Sequence, residues 1–203
     1  MKILVTGGAG YLGSVMVPML LNAGHHVVVI DNLLYNQTSL LDCCHRKELQ
    51  IVRGDVRNES LVSRAVRDVD AIFPLACLVG APLCERMPLE ARSINYEAVQ
   101  ILIKLRSKSQ VIIFPTTNSG YGIGQQSIHC TEETPHNPIS LYGKLKVQIE
   151  KEPLEAGNAI ALRLATVFGI SPRMRIDLLV NDFTYRALTD RFLVLFEAYF
   201  MRN

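Results

Sequence analysis

The chain has 203 residues, 49% of them hydrophobic and 20% charged, enough to bury the core of one domain and begin a second. The net charge is only +2, and no basic run or aromatic-basic stripe marks a nucleic-acid surface. The chain opens on a strand rather than a signal peptide, and no apolar run approaches the ~20 residues of a membrane span, so a cytoplasmic protein with no membrane partner is expected.

Short β-branched runs over 2–6, 26–30, 49–52, 71–74, 111–115 and 159–164 are predicted strands. They alternate with predicted helices over 11–23, 59–67, 89–107 and 139–156. Continuously apolar strands separated by helices indicate a parallel sheet buried on both faces, a doubly wound α/β architecture. Pro18 lies inside the first predicted helix and is expected to bend it or disturb one turn. After Gly169 the rhythm weakens to a loop over 171–175, a short helix over 178–188 and a strand over 192–196. Residues 1–169 are therefore expected to form one α/β domain, and 170–203 the start of a further region. The five cysteines, Cys43, Cys44, Cys77, Cys84 and Cys130, have no metal-ligand spacing, so free thiols and no metal site are expected.

The first strand runs into Thr6-Gly7-Gly8-Ala9-Gly10-Tyr11-Leu12-Gly13. Glycines here permit a tight turn and close approach of backbone to a pyrophosphate, and the following helix offers free N–H groups to the phosphates. Gly7, Gly10, Tyr11, Leu12 and Gly13 are accordingly candidate cofactor contacts, because the pattern lies between a strand and a helix at the start of a βαβ unit. The second strand ends in Asp31-Asn32. A carboxylate there accepts hydrogen bonds from ribose hydroxyls and repels a 2′-phosphate, which favours NAD over NADP; the alternative is that Asp31 only caps a turn. Asp55-Val56 follows the third strand, where a carboxylate can meet the adenine amino group or serve a turn and helix cap.

Tyr142 and Lys146 open the last strong helix, four residues apart and so on one face, with Lys144 as a solvated neighbour. An ammonium beside a phenol stabilises the phenolate and lowers its pKa from about 10, which suits proton transfer with a sugar hydroxyl. Thr6 to Gly13, Asp31-Asn32, Asp55-Val56, the run from Thr116 to Gly122, and Tyr142 to Lys146 stand in one order along the chain. In that order they resemble the extended short-chain dehydrogenase/reductase family, in its nucleotide-sugar epimerase and dehydratase branch.

The resemblance implies a Rossmann sheet, tightly held NAD and transient oxidation of a nucleotide-diphosphate sugar. It implies that Thr117 hydrogen-bonds the reacting oxygen, that Tyr142 is the acid/base, and that Lys146 holds the nicotinamide ribose and tunes Tyr142. Leu75, Ala76 and Cys77 match a loop that lies along the cofactor. Asn95 matches a cofactor-linked asparagine, and equally reads as a polar residue on a helix face. On the substrate side, Thr166 stands where epimerases often place an asparagine, and Asn181 matches a nucleotide contact or a solvated helix residue. Arg202 matches a phosphate-binding arginine.

Sugar 4,6-dehydratases carry Asp-Glu immediately after the catalytic threonine; here Asn118 and Ser119 stand there, and neither is a useful general acid. Dehydratase chemistry is therefore disfavoured. Family members usually continue well beyond this length to complete the substrate domain, so the chain is expected to have little turnover alone. The leading expectation is an NAD-dependent epimerase or related oxidoreductase. A non-catalytic NAD-binding module and an inactive fragment are the competing ones. Val99, Leu102, Ile103, Val147 and Ile149 exceed what one sheet face needs, and the resemblance implies a dimer contact made by the two long helices, so a homodimer is expected of the full-length protein; the alternative is that these side chains only pack on the sheet.

Overall fold

A computed structural model describes residues 1–123 and 129–195. Six strands, β1 (Lys2–Thr6), β2 (His26–Asp31), β3 (Leu49–Arg53), β4 (Ala71–Pro74), β5 (Val111–Thr117) and β6 (Ala159–Leu164), lie where the apolar runs place them. They form one sheet in the order β3-β2-β1-β4-β5-β6, and every neighbouring pair is parallel. This is the Rossmann order. The direction of winding reverses between β1 and β4, which leaves a crevice at the carboxyl ends of those two strands.

The helices are α1 (Gly13–Asn22), α2 (Glu59–Val66), α3 (Ala81–Arg86), α4 (Pro88–Arg92), α5 (Ala98–Leu105), α6 (Leu141–Glu155) and α7 (Leu179–Thr189). On one face of the sheet, Leu4, Val28, Ile30, Ile72, Ile112 and Phe114 pack with Val62, Leu102, Leu145 and Ile149 from the helices. On the other, Ile3, Val5, Val27, Val29 and Ala71 pack with Val17 and Leu21 of α1. Central strands covered on both sides have no polar face, which is why their sequences show no alternation. The edge strands are less covered: Ile51 of β3 and Ile160 and Leu162 of β6 are exposed.

Four sequence expectations are corrected. The first helix begins at Gly13 rather than at residue 11, and it runs through Pro18 to Asn22. The helix expected over 89–107 is three pieces, α4, a π-type turn over Ser93–Glu97, and α5. In front of it stands the unexpected α3, hidden in the sequence by Gly80 and Pro82 at its start. No strand forms over 192–195; residue 196 lies outside the described residues, as does Arg202. Of the five residues assigned to a dimer contact, Val99, Leu102 and Ile149 are buried within the chain's own core, while Ile103 and Val147 are partly buried. Among the described residues no helix is long and apolar enough to cross a membrane.

The packing makes a direct contrast between two isoleucines. Ile149 is fully buried between α6 and the sheet, and Ile160 is 50% exposed on the edge strand. In urea unfolding, Ile149→Ala should cost ~2–5 kcal/mol, whereas Ile160→Thr should stay within about 0.5 kcal/mol of the parent.

Candidate dinucleotide site and the Tyr142–Lys146 helix

The glycine loop lies at the crevice because its backbone is packed too tightly for side chains. Gly7 has φ +69°, and a β-carbon on it would fall 2.6 Å from the Ala76 nitrogen, in the loop that follows β4. A β-carbon on Gly13 would fall 2.5 Å from Cα of Gly8, so the start of α1 is drawn against the turn itself. The loop after β4 is tied to the same place: Leu75 N–H donates to the Thr6 carbonyl at 3.0 Å and Ala76 N–H to Thr6 Oγ1 at 3.3 Å. The result is a concave run of backbone at the amino end of a ten-residue helix. Free N–H groups and the positive helix end there are suited to an anion.

Asp31 ends β2 and is buried. One carboxylate oxygen accepts from Ala9 N–H at 2.9 Å, inside the glycine loop; the other accepts from Leu33 N–H at 2.8 Å and Gln37 Nε2 at 3.3 Å. The side chain caps its own turn, as one of the two sequence readings had it, and also braces the glycine loop. An ionised carboxylate has about four acceptor sites, so capacity for a ribose hydroxyl remains. Asn32 Oδ1 accepts from Leu34 N–H at 3.0 Å and fixes the same turn.

Asp55 sits at the end of β3, but its carboxylate is committed to Arg57, whose guanidinium hydrogen bonds hold it below the usual carboxylate range. Val56 points into the core rather than into the crevice. Asn95 is 1% exposed within the π-type turn. Its Oδ1 accepts from Leu78 N–H at 2.8 Å and its Nδ2 donates to the Leu78 carbonyl at 2.9 Å, a two-point clamp on the loop carrying Leu75, Ala76 and Cys77. A solvated position on a helix face is thereby excluded for Asn95, which acts on the crevice by holding its wall. Cys84, which sequence reasoning passed over, joins this clamp, with Sγ 3.7 Å from Asn95 Nδ2.

The chemistry-bearing residues come together at the end of β5. Thr117 is its last residue, buried, with Oγ1 accepting from Ser119 N–H at 3.1 Å. Helix α6 starts at the adjoining turn, Asn118–Tyr121: Ser140 Oγ caps the helix by accepting from Gly143 N–H, and a β-carbon on Gly143 would lie 3.1 Å from the Ser119 carbonyl. Tyr142 and Lys146 thus stand on the inner face of α6, and Lys144 is exposed as expected. Lys146 is 4% exposed; its Nζ donates to the Pro115 carbonyl at 3.1 Å and lies 4.8 Å from the Phe114 ring centre.

The electrostatics differ from the sequence expectation. Burial pushes the Tyr142 phenol well above its ordinary pKa, the neighbouring thiols of Cys77 and Cys84 add to this, and the opposing cation is Arg175 rather than Lys146. The Lys146 ammonium is turned to Pro115 and to Cys77, whose thiol burial raises and Lys146 partly draws back. Burial, followed by Cys77, pushes the Cys84 thiol up to about 11. Tyr142 is therefore a neutral phenol at pH 7 in the free protein.

The substrate-side residues are placed differently from one another. Thr166 lies in the loop after β6, partly buried. Asn181 is buried rather than solvated, and its amide is spent on the chain itself: Oδ1 accepts from Gly169 N–H at 2.9 Å, and Nδ2 donates to Tyr11 Oη at 3.0 Å and the Arg175 carbonyl at 2.9 Å. Tyr11 Oη in turn donates to the Gly169 carbonyl at 2.6 Å, so the tyrosine of the glycine loop reaches the substrate side with its hydroxyl.

A parallel sheet wound in this order, with a side-chain-free loop after its first strand and an acidic residue after its second, defines a dinucleotide-binding α/β protein. Residues 3–194 match the NAD dependent epimerase/dehydratase family, and the chain belongs to it. It is 33% identical over 180 residues to a UDP-glucose 4-epimerase of Lactobacillus helveticus, covering 84% of this chain and 53% of that protein. It is 31% identical to the Azospirillum brasilense enzyme of the same name, covering 86% of this chain and 51% of that one. Among solved structures it resembles UDP-glucuronic acid 4-epimerase from Bacillus cereus in complex with UDP-glucuronic acid and NAD, with a TM-score of 0.81, 28% identity, and coverage of 94% and 64% of the two chains. The chain thus spans about half the length of the relatives it matches in sequence.

The shifted phenol gives a measurement independent of turnover. In a spectrophotometric pH titration of the cofactor-free protein, Tyr142 should ionise above the range of free tyrosine, and Tyr142→Phe should remove that late transition. Arg175→Gln should move it higher still, because the cation that favours phenolate is gone.

Proposed function

We propose that the full-length protein is an NAD-dependent epimerase, or a closely related oxidoreductase, of nucleotide-diphosphate sugars. The observation that supports this reading is that Thr117 ends β5 while Lys146, one helical turn after Tyr142 on α6, donates to the Pro115 carbonyl of the same strand. A bound nicotinamide supplies reversible hydride acceptance. The rest is done by the protein. The Thr117 hydroxyl, fixed by its contact with Ser119, donates to the sugar oxygen that becomes a ketone. Tyr142 takes and returns the proton of that oxygen. Lys146 would hold the nicotinamide ribose, and its ammonium together with the positive charge of an oxidised nicotinamide would favour the phenolate of Tyr142.

Gly7, Gly10, Tyr11, Leu12 and Gly13 hold the diphosphate, and Asp31 the adenosine ribose, in this reading. Asn32, Asp55, Val56, Leu75, Ala76 and Cys77 line the cofactor, largely through backbone, with Asn95 behind them. Residues from 170 onward begin the sugar-nucleotide side, with Thr166 at its border. The UDP-sugars in the names of the relatives and neighbours make a uridine diphosphate sugar the first substrate to test. Asn118 and Ser119 in place of an acid pair disfavour dehydration. A homodimer of the full-length protein through α5 and α6 belongs to the same reading. Its support is the partial exposure of Ile103 and Val147, and a monomer in light scattering at micromolar concentration would remove it.

Calorimetric titration should show NAD bound more tightly than NADP, and Asp31→Ala should reduce the preference as well as the affinity, since it also releases Ala9. Equal or tighter NADP binding would overturn the assignment. In the full-length protein supplied with UDP-glucose or UDP-glucuronic acid, Tyr142→Phe should lower turnover by about 10²–10⁴-fold or more with NAD still bound. Thr117→Val should slow it, and Lys146→Ala should damage both rate and cofactor affinity. Undiminished activity of Tyr142→Phe would refute the mechanism.

A further inference from the structure

Helix α3 (Ala81–Arg86), concealed in the sequence, has two moorings. One is the loop after β4. Cys84 N–H donates to the Gly80 carbonyl at 3.2 Å, and Cys84 Sγ donates at 3.2 Å to the Leu78 carbonyl, which Asn95 Nδ2 also grips. The other is the start of α6. Glu85 Oε1 accepts from Leu141 N–H at 3.1 Å, across 56 residues of chain. Cys84 is fully buried, and Leu83, Leu141 and Tyr142 pack against the same core cluster that contains it. Tyr142 follows Leu141 directly, and the Cys84 thiol acts electrostatically on its phenol. Helix α3 therefore meets α6 at two successive positions, Glu85 on the backbone just before Tyr142 and Cys84 near its side chain.

The bond at Leu141 answers a need of α6. The first N–H groups of a helix have no partner inside it. Ser140 Oγ takes that of Gly143, and Glu85 takes that of Leu141 from another element. The helix start also lacks negative charge of its own. No acid stands in its first turn, while Lys144 and Lys146 put two ammonium groups in its first two turns, where the helix dipole is already positive. Glu85 supplies the missing carboxylate from outside, and it makes no ion pair among the described residues. Because the bond is exposed to solvent, its weight falls on the placement of the first turn rather than on the stability of the whole fold.

We propose that Glu85 is a positioning residue for Tyr142: it fixes the first turn of α6 against α3 and so sets where the phenol stands relative to Thr117. This rests on the reading of Tyr142 as the acid/base and extends it to a residue that touches neither substrate nor cofactor. It also joins the loop carrying Leu75, Ala76 and Cys77 to the helix carrying Tyr142 through one six-residue helix.

Amide exchange of the 203-residue chain, followed by NMR, tests the fastening. Glu85→Ala should speed exchange at Leu141 about tenfold, with the melting temperature within about 2 °C of the parent's. Glu85→Gln, which keeps an oxygen acceptor and loses the charge, should fall between. Turnover of UDP-glucose or UDP-glucuronic acid by the full-length protein tests the consequence. There Glu85→Ala should lower kcat about tenfold with KM and NAD affinity unchanged, since a displaced phenol slows proton transfer without altering what holds the ligands. Exchange at Leu141 that stays at the parent's rate in Glu85→Ala overturns the proposal. So does faster exchange with kcat unchanged, or a loss of kcat matched by a loss of NAD affinity or of melting temperature, because the contact would then serve the fold and not Tyr142. If the parent turns over no sugar nucleotide while exchange at Leu141 still responds to Glu85→Ala, the catalytic reading of Tyr142 has failed, and the positioning role falls with it although the fastening stands.

Discussion

The Asp31 carboxylate, reaching from the end of β2 to the Ala9 N–H in the glycine loop, is the contact on which the rest of this molecule depends. It fixes a loop that cannot fix itself. Gly7, Gly8, Gly10 and Gly13 have no side chains to pack, and a glycine-rich turn is the most expensive kind of backbone to order. One buried carboxylate bonded to that loop on one oxygen and to its own turn on the other holds β1, β2 and the start of α1 in register. The crowding at Gly7 and Gly13 then works in the fold's favour: the space a β-carbon would need is filled by the loop after β4 and by the loop itself.

The same economy recurs on the far side of the crevice. Tyr11 belongs to the glycine loop, yet its hydroxyl is spent on Gly169 and Asn181, and Ser14 of α1 meets Ser171. The first and last described parts of the chain are thus joined through groups nearly excluded from water, where each hydrogen bond left unmade would carry the full desolvation cost. On this side, burial raises the Tyr142 phenol above its ordinary pKa, and Arg175, on the segment after β6, opposes that shift.

Membership of the epimerase/dehydratase family fixes the frame in which these details are interpreted, and the chain spans about half the length of the relatives it matches in sequence.

The sequence by itself determined the six strands, the parallel order of winding, the glycine loop and the pairing of Tyr142 with Lys146. Each is a local signal: an unbroken apolar run, a glycine spacing, a four-residue repeat on a helix. It also determined that Asp31 follows β2, but not that the carboxylate would brace Ala9, which is 22 residues away in the chain. Only the tertiary structure decided the fate of side chains whose partners are distant. Asn95 and Asn181 are alike in sequence, polar residues on helical segments, yet one clamps the loop at Leu78 and the other bonds to the hydroxyl of Tyr11. Val99, Leu102 and Ile149, offered by the pattern as an outward face, turned inward because α5 and α6 lie directly on the sheet. Lys146 sits one turn from Tyr142 as the spacing requires, but its ammonium is drawn to the Pro115 carbonyl across the helix–strand interface. Periodicity assigns a face, while the direction of a charge or an amide is set by whichever buried partner the folded chain brings within reach.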